Sequence, residues 1–287
     1  MAKNTRARQL AKAHERRQTE RRQHERKRQV TVIVVALAVA LVGGGVAVAA
    51  FSGGNDTSTG ATSASGATET TGATGASGET STVDPTPGPK QVACGGQEPK
   101  DATKPKPQFS KPEQVIKQGK TYTAEMQTSC GTITIELLAD QAPQTVNSFV
   151  FLAEQGYFDG QRFHRLDTSI DVIQGGDPTG TGSGGPGYSI PDELTGKESY
   201  GPGVLAMANA GPDTGGSQFF IITGDNGHNL DASPNYTIFG QITKGLDVAK
   251  KIQQLPIQDP NAAASGDISG QQPAQAVYID KVTIDAS

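Results

Sequence analysis

Short apolar runs recur along residues 121–287, and clusters of Gly, Pro, Asn and Asp separate them. Runs of this length and composition, whether alternating or continuously apolar, predict β-strands. Many short strands with turn signals between them favour an antiparallel barrel, so we predict a mainly β fold. Its eight strands are placed at residues 122–128, 132–137, 161–164, 171–174, 203–207, 219–223, 237–242 and 277–284.

Two segments follow a helical period instead. Residues 143–155 begin with Pro143, which suits a first helical turn, and their apolar side chains recur on one helix face, namely Val146, Phe149, Val150 and Ala153. Residues 245–253 carry a shorter version of this pattern. Residues 121–287 are numerous enough for one hydrophobic core. We therefore predict a single domain, an eight-stranded antiparallel barrel capped by two helices.

The composition changes upstream of this domain. Residues 52–89 consist mostly of Gly, Ser, Thr, Ala and Pro, and such a segment buries too little apolar surface to offset its ordering entropy. We predict a flexible linker there, with a root-mean-square span of roughly 30–37 Å for a Gly/Ser-rich coil of this length. Residues 90–120 contain four prolines and are predicted to form an irregular arm rather than a second domain.

The amino-terminal part of the chain has the pattern of a membrane anchor. Residues 1–29 carry eleven Lys/Arg against three Glu, whereas the 22 residues 30–51 carry no charge. As a helix, a stretch of this length crosses a hydrocarbon core of about 30 Å. Positive charge before a span stays in the cytoplasm. We predict a single-pass protein in the cell membrane, with residues 52–287 outside the cytoplasm.

Two other interpretations of this region stay open. Residues 47–49 (Ala-Val-Ala) fit a signal-peptidase site, although the apolar stretch is longer than the usual 7–15 residues of a signal peptide. The basic residues 1–29 could bind nucleic acid through phosphates, but attraction to anionic lipid explains them more simply next to a span. After residue 51 the chain carries 14 Lys/Arg against 26 Asp/Glu, so we expect no nucleic-acid partner there.

Three motifs in the predicted domain carry the chemistry. Residues 163–165 read FHR, residues 174–177 read QGGD, and residues 204–223 read VLAMANAGPDTGGSQFFIIT. Together, and in this order, they resemble the active-site segments of the cyclophilin family of peptidyl-prolyl isomerases. The resemblance covers about residues 122–284 and implies an eight-stranded barrel that acts on X-Pro bonds without a cofactor. Its expected partners are proline-containing polypeptides, and we expect a monomer.

The resemblance also assigns residues to roles. Rotation about an X-Pro bond faces a barrier of about 18–20 kcal/mol because the amide is conjugated. A fixed donor aimed at the prolyl nitrogen, which becomes an acceptor only when the bond twists, binds the transition state preferentially. Arg165 matches this catalytic donor. The positions that match substrate contacts are Phe163, Val172, Gln174, Ala208, Asn209, Ala210, Gln218, Phe220, Leu230 and Tyr236.

The chain also departs from the family pattern. The segment between Arg165 and Gln174 is one residue longer than usual and lacks Pro-Gly-Phe, so the pocket phenylalanine is missing or replaced by Ile170. Asn229 stands where a tryptophan is expected, and the chain contains no Trp. These changes predict weak binding of cyclosporin and a wetter, slower site. A proline-peptide binding module or chaperone with little turnover is therefore the alternative function.

The two cysteines, Cys94 and Cys130, suggest a disulfide in an oxidising compartment, with two unpaired thiols as the alternative. No metal site is expected, because the cysteines have no ligand spacing and the four histidines are scattered. A hydrolase triad of Asp177, Ser217 and His164 lacks a nucleophile elbow, and we expect His164 to be a hydrogen-bonded structural residue. The glycine-rich residues 180–187 lack the Lys-Ser/Thr ending of a phosphate loop.

Overall fold

A computed structural model describes residues 81–287 of the chain. The predicted basic segment, the predicted span and most of the predicted linker lie outside these residues. Within residues 81–287, no helix has both the length and the apolar character needed to cross a membrane.

The domain is built on one eight-stranded antiparallel sheet. Its strand order is β10-β3-β4-β9-β7-β8-β6-β5, and every neighbouring pair is antiparallel. The prediction of a mainly β fold is confirmed. The strands are β3 (Tyr122–Thr128), β4 (Gly131–Leu137), β5 (Arg165–Asp167), β6 (Val172–Gly175), β7 (Val204–Met207), β8 (Phe219–Ile222), β9 (Ile238–Lys244) and β10 (Ile279–Ala286).

The two edge strands of the sheet are joined through the residues that precede them. Phe163 N donates to Val277 O at 2.9 Å, and Arg162 forms a bridge with Tyr278. This corrects the strand predicted at residues 161–164. The segment pairs with the chain before β10 at Phe163 but with β6 at His164, whose N–H donates to Gln174 O, so a regular ladder begins only at Arg165.

Three helices accompany the sheet: α1 (Pro143–Glu154), α2 (Leu246–Gln253) and α3 (Pro260–Ala264). The first two match the predicted helices, and the short α3 was not predicted. Helix α1 buries Phe149 against three other aromatic rings of the core, and α2 buries Ala249 and Ile252 in the same core. Within residues 81–287, three short 3-10 helices lie at Ala93–Gly95, Asp225–Leu230 and Ile268–Gln271.

Both faces of the sheet are apolar near its centre, but they face different surroundings. Side chains alternate between faces along a strand. Ile173, Leu205 and Ile221 point into the main core with Phe149 and Phe158. Their neighbours along the strands point the other way and form a second, smaller cluster of Val172, Tyr200, Val204, Ala206, Phe220, Ile222 and Ile238. This second cluster is the floor on which the candidate site is built.

The residues before β3 are tied to the domain. Thr82–Val83 (β1) pairs antiparallel with Lys106–Pro107 (β2), and a disulfide joins Cys94 to Cys130 with a Cα–Cα distance of 5.1 Å. The predicted end of the linker at residue 89 is therefore too late, because ordered structure begins before it. No pattern in the sequence indicated β1, since two residues are too few to show a strand period.

Candidate functional site

The candidate site begins with one row of residues across three strands. Arg165 on β5 lies opposite Gln174 on β6, which lies opposite Phe220 on β8. Residues directly opposite each other in antiparallel strands share a face of the sheet. The three motifs, separated by up to 55 positions in sequence, thus place their key side chains side by side.

A cavity of about 110 Å³, here called the Arg165 cavity, lies over this row. Most of the predicted site residues meet there, together with Ile170, which forms part of the wall. Phe220 packs edge-on against Tyr236, with ring centroids 5.2 Å apart. The lining residues are Arg165, Ile170, Val172, Gln174, Ala208, Asn209, Phe220, Leu230 and Tyr236.

Three acceptors hold the guanidinium of Arg165. Nη1 donates to Gln174 Oε1 at 3.0 Å, Nη2 to Asp167 Oδ2 at 2.6 Å, and Nε to Gln271 Oε1 at 2.6 Å. The sequence did not single out Asp167 or Gln271. Asp167 could have been found, since it lies two positions after Arg165 on the same strand face. Gln271 lies 106 positions away, and no local pattern points to it.

Asp167 also shapes the segment that is one residue longer than the family's. Its Oδ1 accepts hydrogen bonds from the N–H and the hydroxyl of Ser169, at 2.9 and 2.6 Å. The turn fixed in this way spans residues 168–171 and includes Ile170, which lines the Arg165 cavity. One buried carboxylate thus positions both the arginine and part of the cavity wall.

A chain of amide hydrogen bonds connects Arg165 to the glycine-rich loop. Gln174 Nε2 donates to Gln218 Oε1 at 3.0 Å, and Gln218 Nε2 donates to the carbonyls of Gly182 and Gly184. The loop itself is held by Asp177, whose carboxylate accepts from the N–H groups of Thr179 and Gly182. Burial raises the pKa of Asp177, but hydrogen bonds from Thr179 and Gly184, together with the nearby His164, outweigh this effect and hold the pKa below its usual value.

A larger groove of about 750 Å³, the glycine-loop groove, borders the Arg165 cavity. The two share Gln174, Ala208 and Asn209, and the groove adds the predicted residues Ala210 and Gln218. Within residues 81–287, the backbone N–H and C=O of Asn209 have no hydrogen-bond partner. An open peptide group at a groove edge is suited to pairing with another backbone.

The ordered arm forms part of the far wall of this groove. Gln108 Nε2 donates to Gly185 O at 2.8 Å, and Phe109 N donates to Pro186 O at 2.8 Å. The side chain of Gln108 lines the groove itself. The arm therefore braces the glycine-rich loop, and it does not line the Arg165 cavity.

Phe163 does not reach the site. It is 1% exposed in the main core, edge-on to Phe219 at 6.4 Å, so its prediction as a substrate contact is corrected to a core position. The reason is the irregular pairing before β5, which turns Phe163 inward. His164 is also buried, but both its ring nitrogens lack a hydrogen-bond partner within the described residues, against our expectation. Ser217 donates to Gly176 O and not to His164, which leaves no triad.

We expect His164 to make stability depend on pH. Burial, with the nearby Arg165 and Arg162, lowers the pKa of His164 to about 4 despite the opposing charge of Asp177. An unfolded histidine has a pKa of about 6.5, so below that pH the unfolded state binds the proton first and stability falls. The free energy of unfolding should drop by roughly 2 kcal/mol between pH 7 and pH 5 from this group alone.

Urea denaturation of the wild type and of His164→Gln at pH 7, 6 and 5 measures this effect. The variant carries no titrating ring, so its stability should change far less over this interval. If the free energy of unfolding changed equally with pH in the two proteins, the role of His164 in this pH dependence would be contradicted.

Comparisons with known proteins agree with this geometry. The family model "Cyclophilin type peptidyl-prolyl cis-trans isomerase/CLD" matches residues 123–284. The chain is 43% identical over 144 residues to peptidyl-prolyl cis-trans isomerase-like 1 of Neurospora crassa, covering 49% of this chain and 86% of that protein. It is 46% identical over 138 residues to a peptidyl-prolyl cis-trans isomerase of Helicobacter pylori, covering 47% of this chain and 82% of that protein.

A longer match reaches beyond the family domain. The chain is 39% identical over 196 residues to the probable peptidyl-prolyl cis-trans isomerase B of Mycobacterium tuberculosis, covering 61% of this chain and 60% of that protein. Among solved structures, a cyclophilin-type isomerase of Cryptosporidium parvum superposes with a TM-score of 0.50 at 29% identity, over 57% of this chain and 98% of that one.

The protein belongs to the cyclophilin-type peptidyl-prolyl cis-trans isomerase family. The prediction that it is an enzyme of this class is confirmed by relatives of that name, at 39–48% identity.

Proposed function

We propose that the domain accelerates X-Pro rotation in folding polypeptides by donating a hydrogen bond from Arg165 to the prolyl nitrogen of the twisted bond. One observation carries this proposal. The Arg165 guanidinium, fixed at three atoms, borders a small cavity that is walled in part by apolar side chains and lies next to an open peptide edge. No covalent bond is made or broken, and the reaction needs no cofactor.

The hydrogen-bond count supports this role for Arg165. A guanidinium has five N–H donors in a fixed plane. Three of them serve Gln174, Asp167 and Gln271, which leaves two for a substrate. A donor that is already held in position needs no reorganisation when the prolyl nitrogen becomes an acceptor. Because the nitrogen accepts only in the twisted transition state, the donor stabilises that state more than the planar ground state.

The walls of the cavity increase this electrostatic effect. Val172, Phe220 and Leu230 present apolar surface around the guanidinium, and Ile170 adds to it. An apolar lining excludes water and lowers the local dielectric, and a hydrogen bond to a charged donor is stronger there. The cavity of about 110 Å³ is small and suits one proline ring better than a large side chain.

The open peptide group of Asn209 supports binding of an extended polypeptide rather than of an isolated proline. A substrate backbone pairs with Asn209 while its proline occupies the Arg165 cavity. The residues before the proline then follow Ala208–Ala210 into the glycine-loop groove, which shares Gln174, Ala208 and Asn209 with the cavity.

The location of these substrates is part of the proposal. The uncharged residues 30–51 behind eleven basic residues support a single-pass anchor with the domain outside the cytoplasm, as in a bacterial envelope. A disulfide between Cys94 and Cys130 suits an oxidising compartment. The clients are then secreted or envelope proteins that fold after leaving the membrane.

Exchange spectroscopy by NMR on a short X-Pro peptide, with the full chain present, tests the enzymatic proposal. Uncatalysed rotation takes tens to hundreds of seconds, and we expect exchange between cis and trans peptide at a rate that rises with enzyme concentration. Binding of the peptide without faster exchange would instead establish the binding module. In that case Ile170 and Asn229, which stand where the family pattern has aromatic residues, would be the first positions at which to introduce aromatic side chains.

A further inference from the structure

The segment between α2 and β10 folds back on itself beside Arg165. Its two ends pair through Gln258 N to Gln272 O at 2.8 Å and Ala274 N to Pro256 O at 2.8 Å. Between these ends lie α3 and the 3-10 helix Ile268–Gln271. We call this unit the 256–274 loop.

The 3-10 helix of this loop is firmly held. The side chain of Asp267 caps it by accepting from Ser269 N at 2.9 Å. Gly270 lies so close to the start of the loop that an added Cβ would stand 2.5 Å from Asp259 O. The side chain of Gln271, 8% exposed, reaches Arg165 Nε. The helix is therefore a fixed wall next to the catalytic arginine.

This wall encloses a second small cavity on Arg165. The Ile268 cavity, of about 140 Å³, shares Arg165 and Gln174 with the Arg165 cavity but neither Ala208 nor Asn209. Its remaining lining is His164, Thr181, Gly182, Ile268, Ser269 and Gln272. Ile268 is 59% exposed, and only Leu194, at 42%, is another exposed large apolar side chain within residues 81–287.

We infer that the Ile268 cavity is a specificity subsite for an apolar side chain that follows the proline in the substrate. This inference rests on the proposed function. The residues before the proline are assigned to Asn209 and the glycine-loop groove, so the chain after the proline leaves on another side of the cavity. The Ile268 cavity shares Arg165 and Gln174 with the Arg165 cavity, and its lining overlaps that of the glycine-loop groove only at Gln174 and Gly182, so we assign the exit to it.

The lining decides the chemistry of this subsite. Ile268 supplies an apolar wall that a bound side chain would cover. The free energy gained by burying apolar surface is roughly proportional to the area removed from water. The cavity is somewhat larger than the Arg165 cavity, so a side chain of the size of Leu or Phe fits its mouth. The adjacent Arg165 is already paired with Asp167, and it offers little reason to prefer an acidic residue here.

The test uses peptides Ala-Ala-Pro-Y-Ala in which only Y changes, with the full chain as enzyme. We expect kcat/KM to be roughly 10-fold higher for Y = Leu than for Y = Ser, near the lower end of what one apolar contact contributes to discrimination. In Ile268→Ser this ratio should fall to within about twofold of unity. Leu194→Ser, which removes the other exposed apolar side chain, should keep the wild-type ratio.

A second variant makes the test independent of any general loss of activity. Ile268→Asp should shift the preference at Y from Leu towards Lys, whereas the preference for the residue before the proline stays as in the wild type. A Leu/Ser ratio near one in the wild type, or an unchanged ratio in both Ile268 variants, would overturn the subsite.

Failure of the proposed function gives a different result. If no peptide is isomerised, the dissociation constants of the same peptides, measured by calorimetry, still report the preference at Y. A Leu preference in binding that Ile268→Ser removes supports the subsite without catalysis. Binding that is indifferent to Y refutes it.

Discussion

Replacement of Arg165 by alanine should lower kcat/KM for X-Pro peptides by about 100-fold or more, the usual effect of removing a preorganised donor from a transition state. The cavity walls stay in place, so peptide affinity should change much less than kcat. NMR exchange rates and peptide dissociation constants, measured on the same preparations, separate the two effects. Arg165 is partly exposed, and its loss leaves the core intact.

Graded variants around Arg165 sharpen this prediction. Arg165→Lys keeps the charge but loses the planar fork, so it should recover only a small part of the activity. Gln271→Leu removes the acceptor at Nε while keeping the side-chain size, and its kcat should fall between those of the wild type and Arg165→Ala. Gln258→Leu is the matched control, because the side chain of Gln258, in the same loop, contacts Gln272 and Pro273 and not Arg165.

Two outcomes would contradict the role of Arg165. Full kcat in Arg165→Ala would mean that the cavity alone, or another donor, accelerates rotation. An equal loss of kcat in Gln271→Leu and Gln258→Leu would mean that the 256–274 loop acts through stability and not through the position of the guanidinium.

Removal of the disulfide should produce the largest change in stability. The bridge between Cys94 and Cys130 closes a loop with a sequence separation of 36 residues. In the chain-entropy model, a loop of this length contributes on the order of 3–4 kcal/mol by restricting the unfolded chain. We expect the double variant Cys94→Ala/Cys130→Ala to lose about this much free energy of unfolding in urea under non-reducing conditions.

The wild type in a strong reductant is the control for this measurement, since it removes the bridge without changing the side chains. The urea concentration at which the reduced wild type is half unfolded should approach that of the double variant. A difference of less than about 1 kcal/mol between oxidised and reduced wild type would contradict a stabilising bridge.

Much of the fold could be predicted because apolar patterns decide it locally. The strands at Tyr122–Thr128 and Phe219–Ile222 and the helix at Pro143–Glu154 lie within a residue or two of their predicted bounds. Motif order then sufficed to assemble the Arg165 cavity, because Arg165, Gln174 and Phe220 lie in register across adjacent strands. The strands and the helix depend on neighbours along the chain, and the cavity depends on three motifs whose resemblance to one family indicated that they meet.

The features that sequence did not predict depend on long-range contacts. Gln271 meets Arg165 only because the 256–274 loop folds back, and Phe163 turns into the core only because its backbone changes partner before β5. β1 is visible only through its pairing with β2. Asp167 is the exception, since strand alternation alone places it on the face of Arg165.

The disulfide also determines which part of the chain bears mechanical load. A pull from the amino-terminal side of β1 first meets the two-residue pairing with β2, then the hydrogen bonds of Thr86 and the bridge between Val92 and Ala276, and then reaches Cys94. From there tension passes through the sulfur atoms to Cys130 and bypasses the intervening chain, which includes the arm and β3. Gln108 and Phe109 lie in this unloaded stretch, so the brace on the glycine-rich loop survives while the protein is held under tension.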